Sequence, residues 1–172
     1  MKAVVGIDGS KYGEWALRWL AKLPFRTVPS VVGVHGLDLQ SEPAPFLTHP
    51  SITGLEPDAG EAAHFLESRA QRVVEETKKR LKQLGLKGAV RVVQDAIANA
   101  LLKHAGNKGL LVVGSRGLNA LDRFMLGSVS TAVTLHAACP VLVVKEAPKP
   151  VRRILFAKIG RAHVSTPVTL ES

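Results

Sequence analysis

Five short apolar runs alternate along this chain with longer stretches whose apolar residues recur at helical spacing. The runs are continuous and rich in β-branched residues, which is typical of strands buried on both faces. The predicted strands span residues 3–7, 30–35, 89–93, 110–113 and 141–144, and the predicted helices span residues 11–23, 59–84, 96–105 and 128–138. This alternation predicts an α/β fold with a parallel sheet, because each connection between parallel strands must cross a face of the sheet.

The fourth apolar run leads into a loop punctuated by glycines and then into the last predicted helix. Gly114 and Gly117 follow the strand, and Gly127 and Ser128 open the helix. Glycine lets the backbone approach a ligand closely or take a positive φ, and the free N–H groups and dipole of a helix N-terminus favour an anion. Ser128 and Ser130 add hydroxyl donors. The stretch therefore predicts a phosphate site, with an ordinary strand–loop–helix connection as the alternative.

Asp8 follows the first predicted strand and directly precedes the first helix. Ligands of open parallel sheets bind outside the carboxyl ends of the strands. A carboxylate there can accept hydrogen bonds from a ribose hydroxyl or an adenine amino group. From the spacing alone, Asp8 or Ser10 could instead cap the first helix, as Asp95 is placed to cap the third.

The spacing G-x2-G-x9-G-S in this loop resembles the nucleotide-binding signature of the universal stress protein family. Arg123 and the segment HAACPVLVVK at residues 136–145 are also similar to that family, and the likeness runs from residue 1 to about residue 145. The resemblance implies an open, doubly wound, Rossmann-like sheet of five parallel strands in the order 3-2-1-4-5, with helices on both faces. Strands one and four are then neighbours at the topological switch point, which brings Asp8 beside Gly114.

The same resemblance implies a likeness to the ATP-binding branch of the family, with ATP, or else AMP or ADP, as the ligand and Mg²⁺ accompanying the nucleotide. It gives Asp8 a ligand contact and leaves Ser10 as the helix cap. Where the family brings backbone to adenine, at the end of the second strand, this chain has Gly36 in a place where members often have an apolar β-branched residue. The implied nucleotide-binding residues are Gly6, Ile7, Asp8, Gly36, Val113, Gly114, Arg116, Gly117, Gly127, Ser128, Val129 and Ser130.

Sequence features of a phosphate-transferring enzyme are missing from the chain. It has no G-x-x-x-x-G-K-[ST] motif and no G-x-G-x-x-G dinucleotide motif. Ser128 lacks a general base, since His136 lies eight residues further along the same predicted helix. We therefore expect a regulatory adenine-nucleotide-binding protein of the stress response, with no catalytic residues assigned. The alternative is an ATP-hydrolysing or nucleotidyl-transferring enzyme of related fold.

The net charge of +9 raises a third function, nucleic-acid binding. Much of the excess lies beyond residue 147, where five basic residues stand against one glutamate. The densest basic run, residues 78–82, follows two glutamates on the same predicted helix. That pattern is typical of a solvated helix face, so nucleic-acid binding is the least favoured of the three functions.

No run in the chain reaches the length of about 18 apolar residues that predicts a membrane span. The first strand begins almost at Met1, which leaves no room for a signal peptide, and the single cysteine, Cys139, cannot form an internal disulfide. We expect a cytoplasmic protein.

The last strand predicts an apolar sheet edge that needs a partner. The family resemblance implies pairing through Pro140 to Lys145, in a homodimer or with a second tandem domain.

The end of the chain departs from the predicted domain, which spans residues 1–146. Residues 147–150 resemble a linker. Residues 151–157, VRRILFA, resemble the opening strand of another universal stress domain, but no Asp-Gly-Ser turn follows them. Residues 158–172 instead match translated sequencing-adapter DNA. Our hypothesis is that 151–157 begins a truncated second domain and that 158–172 is a non-native tail, with a natural polar tail as the alternative.

Overall fold

The structure, a computed structural model, describes residues 1–37, 59–117 and 126–150, except for the side chains of residues 59, 61 and 62. Strands and helices alternate along these ranges, as the sequence predicts. The strands are β1 (Lys2–Gly6), β2 (Ser30–Gly36), β3 (Gly88–Val93), β4 (Leu110–Gly114) and β5 (Val141–Val144). The helices are α1 (Lys11–Lys22), α2 (Ala59–Gln83), α3 (Ile97–Ala105) and α4 (Ser128–His136).

The five strands form one parallel sheet in the order β3-β2-β1-β4-β5. β1 lies at the centre, where Val5 pairs with Gly33 of β2 on one side and with Val112 of β4 on the other. The strand order implied by the family resemblance is therefore confirmed. The connections after β1 and β4 lead to opposite edges of the sheet, and a crevice opens between them at the carboxyl ends of these strands.

Both faces of the sheet are covered by helices, because successive side chains of a strand point to opposite sides. On one face, α1 and α2 pack against Val5 of β1 and Val112 of β4. On the other face, α3 and α4 pack against Val4 of β1 and Leu111 of β4. The buried side of α1 consists of Gly13, Ala16, Leu17 and Leu20, with Trp15 and Trp19 partly buried beside it. This double cover explains why the strands read as continuous apolar runs.

The two predicted helix caps have different outcomes. Ser10 caps α1, since its Oγ accepts a hydrogen bond from the backbone N–H of Gly13 at 3.3 Å. The cap prediction for Asp95 is wrong, because α3 begins at Ile97 and its N-cap is Ala96, which makes no side-chain hydrogen bond. Asp95 stands one residue ahead of the position from which a side chain caps the first turn. The other element ends differ from the predicted ones by two residues at most.

Several predictions fall outside the described residues. They are Arg123 beside the glycine signature, the strand at residues 151–157 and the non-native tail at 158–172. The domain boundary at residue 146 and the linker at 147–150 also stay predictions. Among the helices that the structure describes, none combines the length and the apolar character that crossing a membrane requires.

Leu101 and Leu135 offer a matched test of the packing. Leu101 of α3 is fully buried, whereas Leu135 of α4 is 73% exposed. We expect Leu101→Ala to lower the free energy of unfolding by about 2–5 kcal/mol, through lost contacts and a residual cavity. Leu135→Ala should change it by less than about 0.5 kcal/mol. Urea denaturation measures both values, and equal effects of the two substitutions would contradict the packing described.

Candidate functional site

Asp8 stands half-buried at the carboxyl edge of the sheet, just after β1 and next to the end of β4. Its Oδ1 accepts a hydrogen bond from the backbone N–H of Ser10 at 2.9 Å. Its Oδ2 faces the loop after β4, because a Cβ placed on Gly117 would lie 2.9 Å from this oxygen. The structure thus brings together two predicted site residues that are far apart in the chain.

Backbone conformation does not explain why these three positions of the signature are glycine. None of Gly114, Gly117 and Gly127 has a positive φ, so close approach is the role that remains for them. At Gly114 the close neighbour is the protein itself. A Cβ there would lie 2.5 Å from the Cβ of Tyr12, a separation that real side chains do not adopt. The packing of α1 against β4 therefore requires glycine at position 114.

Gly127 is different, because the part of the chain that the structure describes leaves room for a Cβ there. The atoms nearest to a Cβ at this position would be the Cα of Arg116 at 3.5 Å and the carbonyl oxygen of Ser115 at 3.6 Å, which are ordinary contacts. Gly127 is also the N-cap of α4, and it has no side chain to accept from the N–H groups of the first turn. The N-terminus of α4 thus has the properties of an anion site.

The two predicted serine donors have different surroundings. Ser128 is exposed at the first position of α4. Ser130 is 1% exposed, and its Oγ lies 2.8 Å from the carbonyl oxygen of Gly127 and 3.3 Å from that of Ser115. The backbone N–H of Gly127 also donates to Ser115, at 2.8 Å. The Ser130 hydroxyl therefore ties the start of α4 to the loop after β4, and Ser128 is the serine that faces solvent.

Arg116 contacts α1 through Tyr12. Its Nη1 donates to the Tyr12 hydroxyl at 3.3 Å, and its guanidinium carbon lies 6.0 Å from the centre of the ring. Lys11 also approaches this ring, with Nζ 5.3 Å from its centre. Two cations thus flank one aromatic side chain that packs beside Gly114. Sequence reasoning missed Lys11 and Tyr12, for which the only signal was their position directly after the Asp-Gly-Ser turn.

The end of β2 borders the site on the other side of β1. Nδ1 of His35 lies 2.8 Å from the carbonyl oxygen of Ile7 and donates to it, since a carbonyl only accepts. The N–H of Ile7 donates to Val34 at 2.9 Å, so both backbone polar groups of Ile7 are already paired. A Cβ placed on Gly36 would lie 3.0 Å from the Cβ of Ile97, the first residue of α3.

The remaining predicted residues are apolar or small and are fully or partly buried. Ile7 and Val113 are buried, with 6% and 3% exposure. A Cβ placed on Gly6 would lie 3.4 Å from Leu101 of α3, on the face of the sheet that α3 and α4 cover. Val129 is half-buried against the cluster formed by α3 and α4. Within the ranges that the structure describes, no three His, Cys, Asp or Glu side chains are grouped so that they could hold a metal ion.

The family model described as the universal stress protein family matches residues 1–145. The chain belongs to the universal stress protein family. Universal stress protein YxiE of Bacillus subtilis (strain 168) is 33% identical to it, over 84% of this chain and 98% of the relative. The family resemblance that the glycine signature and its flanking residues indicate is therefore confirmed.

Solved structures of other universal stress proteins share the fold. Universal stress protein UspA from Lactobacillus plantarum superposes with a TM-score of 0.65 at 16% identity, covering 84% of this chain and 97% of that one. The universal stress protein from Archaeoglobus fulgidus, solved in complex with dAMP, superposes with a TM-score of 0.54 at 20% identity, covering 84% of this chain and 98% of that one. At these identities the likeness establishes the common fold.

Substitutions of Gly114 and Gly127 in this universal stress protein should destabilise it to different degrees. Gly114→Ala should lower the free energy of unfolding by about 1–3 kcal/mol, because its Cβ would push α1 away from β4. Gly127→Ala should lower it by less than about 1 kcal/mol, because its Cβ meets only ordinary contacts. Urea denaturation followed by circular dichroism compares the two. A larger loss for Gly127→Ala than for Gly114→Ala would show that the two glycines have been assigned the wrong way round.

Proposed function

We propose that this universal stress protein binds an adenine nucleotide, ATP, across the carboxyl ends of β1 and β4. The phosphates lie at the N-terminus of α4, near Gly127 and Ser128, and the nucleoside lies toward Asp8 and the end of β2. Occupancy of this site regulates the conformation of the protein or the binding of its partners during stress. AMP and ADP have the same base and ribose and compete for the same place.

One observation carries this proposal: position 127 is glycine although the residues that the structure describes leave room for a Cβ there. Among those residues, the nearest atoms to a Cβ at Gly127 would be 3.5 Å away or more, so their packing does not explain the glycine. Position 127 is also the N-cap of α4, where Ser, Thr, Asp or Asn would otherwise satisfy the first-turn N–H groups. A phosphate that accepts from those N–H groups needs the volume that a side chain would fill.

The charges around the crevice support a phosphate ligand. Lys11 and Arg116 both lie against the Tyr12 ring, and Tyr12 packs beside Gly114 at the end of β4. A planar guanidinium offers paired donors that match phosphate oxygens, and a lysine adds a compact positive charge. The side of the crevice formed by α1 and the β4 loop therefore favours a polyanion.

Asp8 supports a nucleoside at the other end of the ligand. An ionised carboxylate only accepts hydrogen bonds and has about four acceptor positions, of which the Ser10 N–H uses one. The remaining positions suit ribose hydroxyls or an adenine amino group. The dAMP complex of the Archaeoglobus fulgidus relative supports an adenine nucleotide as the ligand class for this fold. Mg²⁺ that accompanies ATP binds chiefly through the phosphates and one or two carboxylates.

Gly127→Val tests the phosphate position. A branched side chain would occupy the volume assigned to phosphate, so we expect the affinity for ATP to fall by at least about tenfold, which corresponds to about 1.4 kcal/mol. Isothermal titration calorimetry with ATP measures the change. Ala138→Val is the matched control, because it adds a similar side chain at an exposed residue beyond the other end of α4. Unchanged ATP affinity in a folded Gly127→Val protein would overturn the assigned site.

We also propose that β5 pairs with a second copy of the chain, or with a second tandem domain, through residues 140–145. β5 is an edge of the sheet, and three of its four residues are only half-buried. The carbonyls of Pro140 and Val144 accept hydrogen bonds from the β4 side. Because backbone direction alternates along a strand, the N–H groups of Val141 and Val143 point to the open edge, where a partner strand can accept from them.

Val143→Pro tests this pairing without touching the bonds to β4. Proline removes one outward N–H and is tolerated on edge strands. We expect a folded protein whose self-association is weakened by at least about tenfold, roughly 1.4 kcal/mol. Size-exclusion chromatography with light scattering over a concentration series measures it, with Val143→Thr as the control that keeps the N–H. A wild-type chain that is monomeric at every concentration would contradict the homodimer.

A further inference from the structure

Ile97 occupies the space above Gly36 at the end of β2. A Cβ placed on Gly36 would lie 3.0 Å from the Cβ of Ile97 and 3.5 Å from its Cγ1 and Cδ1. A Cβ contact of 3.0 Å is tighter than nine in ten real ones, and a branched side chain at position 36 would come closer still. A β-branched residue at position 36 would therefore require Ile97 to shift from its present place.

Ile97 also lies at the carboxyl edge of the sheet, where the candidate site is. It is the first residue of α3, which begins at the carboxyl edge of the sheet, and it is only half-buried. It belongs to the same apolar cluster as Val129, which lies in the first turn of α4. The crevice thus has two unlike sides. The side near α1 carries Arg116 and Lys11, whereas the first turns of α3 and α4 carry the half-buried aliphatic residues Ile97 and Val129.

We propose that Ile97 supplies the apolar surface on which the adenine ring rests, in place of a side chain from position 36. This inference rests on the proposed function, and it assigns a specific side chain to the base end of the ligand. A purine ring has apolar faces, and removing one of them from water against aliphatic carbon is favourable. Gly36 then contributes backbone alone, and the aliphatic wall comes from α3 instead of β2.

A reciprocal exchange of the two side chains tests the assignment. Ile97→Ala should lower the affinity for ATP by about five- to tenfold, as expected for the loss of part of one buried aliphatic side chain. It should leave the affinity for inorganic tripolyphosphate, which has no base, within about twofold. Gly36→Val alone should also weaken ATP binding, because the valine collides with Ile97. The double variant Gly36→Val/Ile97→Ala should recover the affinity to within about threefold of the wild type.

Leu102→Ala is the matched control for Ile97→Ala. Leu102 lies on the same helix and in the same apolar cluster, but five residues further along α3 and away from the carboxyl edge. Its truncation removes comparable packing from α3 and should leave the affinity for ATP unchanged. Urea denaturation of the variants, run beside the titrations, shows that each one is folded under the binding conditions.

Three results would overturn the assignment of Ile97 and leave the proposed function standing. Equal ATP affinities for the wild type and a folded Ile97→Ala protein would remove Ile97 from the base site while the proposed nucleotide site stands. So would a double variant that binds ATP no better than Gly36→Val, or an Ile97→Ala protein that loses ATP and tripolyphosphate affinity to the same degree. A wild-type protein that does not bind ATP would overturn the proposed function together with this inference.

Discussion

The parallel pairing of β1 with β4 is the constraint on which the rest of the molecule depends. Val4 pairs with Leu111 and Val5 with Val112 across the centre of the sheet. Because the chain leaves these two strands toward opposite edges, their carboxyl ends are not covered by a shared crossover. Asp8 and the start of the β4 loop meet at this point. The pairing of these two strands places the carboxylate of Asp8 opposite the glycine-containing loop that leads to α4. Neither segment forms this arrangement alone.

The glycine signature combines two physical requirements that sequence spacing cannot separate. Gly114 is required by the packing of Tyr12, since any Cβ there would collide with α1. Packing among the described residues does not require Gly127, which is why it carries the argument for a ligand. The same motif therefore maintains the fold at one end, and its other end is where we propose that an anion binds. A substitution within the motif is informative about binding only when the steric surroundings of that particular glycine are known.

Much of the architecture could be predicted from the sequence, because the buried strands and amphipathic helices are strongly periodic. The strand order came from family resemblance, since periodicity does not distinguish the few possible crossovers.

The cap prediction for Asp95 failed because a one-residue offset decides whether a side chain reaches the first turn. The role of Ser130 as a ligand donor stays a prediction, and the contacts of its hydroxyl with two backbone carbonyls could not be read from the sequence. Tyr12 and Ile97 were missed because their contacts with Arg116 and Gly36 depend on how helices pack over the sheet, which no local pattern encodes.

The two tryptophans of the chain, Trp15 and Trp19, both lie on α1. Trp15 meets Tyr12 edge-on at a centroid distance of 5.2 Å, beside the ring that flanks Arg116. Trp19 donates its Nε1–H to the carbonyl oxygen of Glu146 at 2.9 Å, just past the edge strand β5. The intrinsic fluorescence of the protein therefore originates from a single helix. One indole lies against the Tyr12 ring and the other bonds to the chain as it leaves the sheet, so the emission spectrum reports on these two surroundings of α1 without an added label.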